Sequence, residues 1–591
     1  MLYWVLGGGN NLIIICCSGD KMMKKIKNLF VILAISLFTF QFNIDLAFSE
    51  EPKYGGKLSF YFWGQEVPSA DVNKNNWVTR MYISPVLNRL VEVDFVKFGP
   101  RGSSEFTQFT TDKVPEKYSR GALAKSWEVN PEKIVFNIRK GVMWVANGKE
   151  NVMKSRAYDA NDCAFSLNRL VNKNKGWKTE NGGFIDSIYA QDKYTCVVKT
   201  SKYSPNAFTN LTQHVTSVQY APEVIKAGAG NWDNLVGTGP FLLKEAVVGS
   251  HISYLRNPNY WNTTNIDGKK YKLPFIDELI MPILPDESTQ IASLRTGKLD
   301  LMGTVSVNYK DTLAKTSPDL KNNGWVEIWP VVLALNMKNK YLSDKKVRQA
   351  LMTAVDQDAI IKAAWGYGAS YNFPVDWRDG SSILGPFDEL PSSIKDLYQY
   401  NPSKAKKLLA ESGYPKGFKA EIVFSPAATA GTHGEIATMI SANFAEIGVE
   451  LKLKSLEATS LSSLMQSRKG YDILSTNVGS KNPLGMFGSL ANYSDKNKWN
   501  TPNYNNTKFT ALHNKAKNTV DTKERNAILK EMALMLMDDV AYIPIGASGR
   551  FGYWWPWVKN YYGEAMSGGT SIGPYIGALW IDQKLKSNMG Y

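Results

Sequence analysis

Asn401-Pro-Ser-Lys-Ala-Lys-Lys-Leu-Leu-Ala-Glu-Ser-Gly413 reads as a complete helix with its own start and stop signals. Asn401 is a side-chain cap, Pro402 occupies the first helical position where its missing N–H costs nothing, and Gly413 ends the helix. Ala405, Leu408 and Leu409 form its buried stripe. Downstream, Ala420 to Phe424 reads as a strand, Ile436 to Ile447 as a helix and Val449 to Leu453 as another strand. Short strands alternating with helices give the βαβ wiring of an α/β fold. Upstream, Lys57 to Phe62 and Ile134 to Ile138 have strand patterns. Ala160 to Leu170 is a helix pattern capped by Asp159, and Asp344 caps another with Val347, Leu351 and Ala354 on one face. Pro and Gly punctuate the chain without building a low-complexity linker. The expectation is therefore lobes joined by several chain crossings, not independent beads.

The chain has 591 residues, enough for several domains or one large multi-lobed fold. With 44% hydrophobic and 21% charged residues it is neither mainly disordered, collagen-like nor coiled-coil. Four cysteines cannot make a disulfide scaffold and four histidines leave little for a metal site, so no metal or cofactor is expected. The net charge is +15, but the lysines are scattered. That pattern implies a solvated basic surface and no nucleic-acid partner.

At the N-terminus, Lys21-Met-Met-Lys-Lys-Ile-Lys27 is basic, Leu29 to Phe40 is apolar, and Ala47-Phe-Ser49 offers small residues at a cleavage site. This is the layout of a secretory signal peptide, preceded by an extension that places the expected start at Met22 or Met23. The apolar run is too short for a bilayer and is followed by Gln41, Asn43 and Asp45. Cleavage before Glu50 would leave a periplasmic protein of net charge +13, since residues 1–49 hold four lysines and two aspartates. Only Cys163 and Cys196 would remain. An oxidising compartment would allow them to pair, and the alternative is two buried thiols.

A search for catalytic apparatus finds no His-Glu-x-x-His, Cys-x-x-Cys, Gly-Lys-Ser/Thr or Gly-x-Gly-x-x-Gly motif. His214, His251, His433 and His513 carry no recognisable catalytic setting, so no catalytic residue is named and no enzyme is expected. Three longer stretches are more informative: Tyr118-Ser-Arg-Gly-Ala-Leu-Ala-Lys-Ser-Trp127, Phe136-Asn-Ile-Arg-Lys-Gly-Val-Met-Trp144 and Asp159-Ala-Asn-Asp-Cys-Ala-Phe-Ser-Leu-Asn-Arg169. They are followed by Val236-Gly-Thr-Gly-Pro-Phe241, Arg256-Asn-Pro-Asn-Tyr-Trp261, Leu273-Pro-Phe-Ile-Asp277, Gly297-Lys-Leu-Asp300, Val347-Arg-Gln-Ala350 and Ala354-Val-Asp-Gln-Asp358. In this order, over about Tyr54 to Tyr561, they resemble the dipeptide/oligopeptide-type family of ABC-transporter solute-binding proteins, extracytoplasmic family 5.

The resemblance implies a two-lobed periplasmic binding protein fold with an interlobe cleft and an extra subdomain. The expected division is 50–95, 225–325 and 549–591 for lobe one, 96–224 for the subdomain and 326–548 for lobe two. It also implies a monomer that captures a solute, an oligopeptide by family default, and delivers it to an inner-membrane ABC permease. An exported hydrolase and a chaperone-like envelope protein are the rival classes. Apart from the resemblance, Gly237, Gly239 and Pro240 suit a tight turn, with glycine supplying unusual φ values. Trp127, Trp144 and Trp261 read as core.

The ligand stretch departs from the family pattern. Peptide-binding members hold the ligand ammonium with an aspartate after a Gly-Trp. Here that dipeptide is Asn477-Val478, and no acidic residue lies between Asp472 and Asp495. The loop Ser425 to Gly434, where dipeptide binders place an arginine, has neither Arg nor Lys. A buried ammonium without a counter-ion is costly, so an oligosaccharide or other neutral polar ligand becomes the alternative. The candidate cleft residues are Phe62, Trp63, Gln65 and Glu66 in lobe one, and Asn336, Trp365, Tyr367, Trp377, His433, Asn477, Ser480 and Asn482 in lobe two. Aromatic faces with amide and hydroxyl partners suit such a solute.

Overall fold

The computed structural model describes residues 50–591 apart from 65, 75–76, 100–102, 104–115, 174–183, 202–203, 205, 215, 327–329, 367, 370–382, 427–431, 479–482, 492–498, 565 and 567–570. The signal-peptide reading of residues 1–49 thus lies outside the described residues. Half of the strands in the described residues collect in one twelve-stranded mixed sheet. In chain order its main members are β1 (Lys57–Tyr61), β2 (Phe241–Val247), β3 (His251–Arg256), β4 (Glu278–Pro282), β5 (Leu301–Ser306), β6 (Lys321–Val326), β7 (Val331–Leu335), β8 (Lys419–Phe424), β9 (Glu450–Ser455), β10 (Ile473–Asn477) and β11 (Tyr542–Trp554). Their order in space is β2-β3-β4-β1-β5-β11-β7-β10-β8-β9, with β6 and the short strand Gly368–Ala369 also paired to β11. β1 is parallel to β4 and β5, and β8 is parallel to both β9 and β10. β5, β6 and β7 each run antiparallel to β11.

Hydrophobic burial divides along the thirteen residues of β11. Phe551, Tyr553 and Trp554 belong to a core with Leu58, Phe60, Leu279 and Leu301. Tyr542, Ile543 and Ile545 belong to a second core with the whole of β7, Ile422, Val423, Ile473 and Leu474. β7 reads Val-Val-Leu-Ala-Leu and is buried throughout, as a strand covered on both faces must be. The first core extends into a separate four-stranded sheet built from Ala124–Val129, Lys133–Ile138, Ile185–Asp192 and Thr195–Thr200. Helix α1 (Ala160–Lys173) is tied to that sheet by Ala160 N–H to Lys193 O at 2.9 Å and Asn168 Nδ2 to Ile188 O at 2.9 Å.

The capped helices form where the sequence places them. Asp344 accepts from Lys346 N–H before α2 (Lys345–Thr353), and Asn401 accepts from Lys404 N–H before α3 (Pro402–Glu411). α4 (Thr432–Glu446) begins four residues earlier than its apolar periodicity suggested, because Thr432 and His433 add a polar first turn. Gly237 and Gly239 are needed for a reason other than the one expected. Neither has a positive φ, but a Cβ on Gly237 would lie 1.9 Å from the Val86 carbonyl oxygen, and one on Gly239 2.4 Å from that of Pro85. Two chain segments touch there without room for a side chain. Trp144 is fully buried, whereas Trp127 and Trp261 are half-buried, the latter beneath the Arg139 guanidinium at 4.5 Å. Among the described residues, no helix is long and apolar enough to cross a membrane.

Candidate ligand cleft

The middle of β11 is where the two cores meet. Ser306, the last residue of β5, pairs with Arg550, and Val326 at the end of β6 pairs with Gly549. On the other side Val331, the first residue of β7, pairs with both Gly546 and Asn477, the last residue of β10. The carboxyl ends of β1 and β5 therefore point toward this segment from one core, and those of β8 and β10 from the other. In open α/β sheets ligands bind outside the carboxyl ends of the strands, where backbone ends and helix N-termini supply polar groups. This fixes where the candidate residues have to be if they share a cleft.

On the first side, Phe62 is a core residue at 1% exposure. Its ring stands edge-on to Trp63 at 4.7 Å and stacks on Trp325 at 6.4 Å, and a Cβ on Gly303 would lie 2.2 Å from it. Phe62 thus backs the surface and Trp63, half-buried, forms it. Glu66 is exposed and its Oε2 accepts from Gly249 N–H at 2.9 Å, in the turn between β2 and β3.

On the second side, the structure brings three predicted residues together. His433 is fully buried in the first turn of α4, with Nδ1 2.9 Å from Ser475 Oγ and Nε2 3.2 Å from Asn477 Oδ1. Burial holds the imidazole pKa below its ordinary value, against the opposing pull of the Asn477 hydrogen bond. The neutral tautomer that satisfies both partners donates from Nε2 to Asn477 and accepts at Nδ1 from the Ser475 hydroxyl. Trp365 is buried and donates from Nε1 to Thr432 Oγ1 at 3.3 Å, the residue before His433. Trp365, Thr432, His433, Ser475 and Asn477 form an uncharged set at the end of β10, just before the stretch in which the family resemblance would place an acid.

Asn336 is separated from them. It follows β7 at the end opposite Val331, about 15 Å away by strand rise. Its Nδ2 donates to Tyr471 O at 2.8 Å and its Oδ1 accepts from Asn503 Nδ2 at 2.9 Å, so it ties loops together beside a depression of about 470 Å³ that Asn339, Glu421 and Asp472 also border. Gln65, Tyr367, Trp377, Ser480 and Asn482 lie outside the described residues.

Two groups escaped the sequence reading. Ser425, directly after β8, and Ser548, in the shared segment of β11, are buried hydroxyls without a hydrogen-bond partner. A serine ending an apolar strand was the available signal for the first. Gly569-Thr-Ser-Ile-Gly573 has the spacing of a nucleophile elbow. Ser571 instead precedes the four-residue helix Gly573–Ile576, and a Cβ on Gly573 would lie 2.4 Å from the Ser84 carbonyl oxygen. Among the described residues, no three His, Cys, Asp or Glu side chains are grouped to hold a metal.

Two α/β cores sharing one long strand, with carboxyl strand ends turned toward each other, define a two-lobed binding protein. The likeness to solved structures agrees. DppA from Helicobacter pylori in complex with peptide STSA is 22% identical, with a TM-score of 0.67 over 90% of this chain and 99% of that one. HbpA2 from Haemophilus parasuis is also 22% identical, with a TM-score of 0.70 over 89% of this chain and 100% of that one. The chain belongs to the bacterial extracellular solute-binding proteins, family 5, whose model matches residues 120–500. It is 28% identical to heme-binding protein A of Haemophilus influenzae, over 77% of this chain and 83% of that one. It is 30% identical to the dipeptide-binding protein of Escherichia coli K12, over 63% of this chain and 66% of that one.

Proposed function

We propose that the protein is the periplasmic substrate-binding component of an ABC importer, taking a peptide between its lobes and presenting it to an inner-membrane permease. The lobes in this reading are 50–95, 225–325 and 549–591 on one side, extended by the subdomain 96–224, and 326–548 on the other. The observation that carries it is the sharing of β11 by two cores, with strand ends from both converging on Gly546 to Arg550. Ligand contacts from both sides would stabilise the closed arrangement, which the permease reads. The protein then acts as a monomer, without turnover, after its signal peptide is removed. Relatives and fold neighbours that carry peptides, including the H. pylori protein with STSA, support the peptide class.

The uncharged set around His433 and Asn477 favours a second reading, an oligosaccharide or other neutral polar solute. The fold admits ligands other than peptides: MoaA from A. tumefacien R10, with mannopinic acid, has a TM-score of 0.66 at 19% identity. A thermal-shift series separates the two. Free peptides, their N-acetylated forms and oligosaccharides would be compared at about 100 times their dissociation constants, where binding adds about 2.7 kcal/mol. On the peptide reading at least one peptide series stabilises the protein, and acetylation leaves the effect intact because no acidic residue lies between Asp472 and Asp495. Stabilisation by sugars alone would transfer the assignment to the second reading, and no response from any of them would count against a binding role.

A further inference from the structure

Cys163 and Cys196 are the only cysteines beyond residue 17, and both are fully buried. The sulfurs are not bonded in this structure; both belong to one buried cluster with Phe136 and Tyr158. Their positions are fixed from both sides. Cys163 stands in the first turn of α1, between the Ala160 to Lys193 and Asn168 to Ile188 hydrogen bonds that clamp this helix onto the sheet. Cys196 lies in a strand paired on both edges, opposite Phe136 on one neighbour and Ala190 on the other. Neither backbone can drift far, so helix and strand hold the two thiols in the same buried layer.

We infer that this pair is a disulfide site, closed as the exported chain folds. The inference rests on the periplasmic reading for its oxidant, a protein or small-molecule disulfide. One cysteine thiolate attacks that disulfide, forming a mixed disulfide and releasing one oxidant thiolate. The second cysteine thiolate then attacks the protein sulfur of the mixed bond, forming Cys163–Cys196 and expelling the second thiolate. Two protein thiols are oxidised, one oxidant disulfide is reduced, and both thiol protons pass to solvent or to the oxidant. Once α1 has docked, burial keeps both sulfurs from thiolate attack, so the bond forms during folding and is afterwards protected. It would cross-link α1 to the sheet of the subdomain.

The test uses the full chain, unfolded with reductant and refolded in a glutathione redox buffer of the potential found in oxidising compartments. Cysteines are then alkylated in denaturant and the intact mass is read. The expected product carries adducts only on Cys16 and Cys17, or none where the leader is absent, and gains two more only after reduction. A refolded chain whose Cys163 and Cys196 both accept alkylating reagent overturns the inference. The C163S/C196S double variant controls for folding: its denaturation midpoint should ignore reductant, whereas that of the parent protein should fall. Identical midpoints for the parent protein with and without reductant also overturn it. Fractionation of cells expressing the chain tests export separately, so failure of the periplasmic reading is distinguishable from failure of the pair to oxidise.

Discussion

Asp300 closes the motif Gly297-Lys-Leu-Asp300, and its side chain is only 2% exposed. Its carboxylate accepts from Ser59 N–H at 2.8 Å, Trp557 Nε1 at 2.8 Å and Lys586 Nζ at 2.7 Å. In Asp300→Ala all three donors lose their acceptor. Lys586 is 26% exposed and can turn its ammonium to water, but the indole of Trp557 stays buried and the amide of Ser59 lies in a half-buried residue. Each stranded donor costs about 1–3 kcal/mol, and breaking a buried ion pair from one side costs about 3–5 kcal/mol. Asp300→Ala should therefore lose about 4 kcal/mol. Asp300→Asn keeps one acceptor oxygen and should lose about half of that, and Lys586→Met, which leaves two donors on Asp300, about 1 kcal/mol. Urea denaturation followed by tryptophan fluorescence reads this core, because Trp555 and Trp557 stack at 4.7 Å beside the carboxylate. A loss below about 1 kcal/mol for Asp300→Ala, with an unchanged urea slope, would refute the claim that Asp300 organises this part of the first core.

Three more outcomes are expected. His513 donates from Nε2 to Leu484 O at 3.0 Å while its buried Nδ1 has no partner, and burial lowers its pKa to about 4. The unfolded chain therefore binds the proton first: the contribution is complete above pH ~6.5 and is lost as pH falls toward about 4, by up to about 3 kcal/mol, so His513→Leu should flatten stability-versus-pH curves over this window. Gly237→Ala should destabilise by at least about 2–3 kcal/mol because the Val86 carbonyl leaves no space, whereas Gly141→Ala, at φ +79 with nothing within 4 Å, should cost about 1–2 kcal/mol; equal denaturant midpoints for the two would contradict this. His433→Leu removes one partner of Asn477 and should weaken binding of any peptide found by thermal shift by about tenfold, and unaltered binding would move the cleft away from this end of β10.

Much of the fold was legible because its signals are local. Asn401 with Pro402, and Asp344 before Lys345, mark helix starts through groups that bond their own backbone, so the sequence pattern and the structure agree there. The site was less legible because its membership depends on strand direction. Asn336 and Asn477 are both polar residues at the edge of buried strands, and nothing in either neighbourhood tells which end of the sheet it faces. Only the antiparallel register, Val331 to Asn477 and Leu335 to Ile473, puts them at opposite ends. His433 and Asn477 are 44 residues apart, and their contact follows from α4 packing against the parallel strands β8 and β10. The need for Gly237 was legible as a glycine, but its cause was not: the obstructing carbonyl belongs to Val86 in another segment.

The neutral pair bears on how ligand energy would drive closure. A two-state protein that is 1% closed without ligand and 99% closed with it needs about 5.5 kcal/mol of differential affinity. A peptide ammonium held by an aspartate would supply part of that by charge pairing, since hydrogen bonds to charged groups contribute about 1.5–3 kcal/mol each. With Asn477 donating and accepting as a neutral amide, each contact yields about 0.5–1.5 kcal/mol, and the remainder has to come from apolar area covered only in the closed state. At about 25 cal/mol per Å², some 150 Å² of additional burial contributes close to 4 kcal/mol, roughly the area of one indole or phenyl face with its backing. Trp63, half-buried against Phe62, would provide it from the opposite lobe. Selectivity would then follow ligand shape and apolar surface more than ligand charge, and affinity should vary little with ionic strength. A steep loss of binding with added salt would show instead that a charged group outside this neutral set holds the ligand.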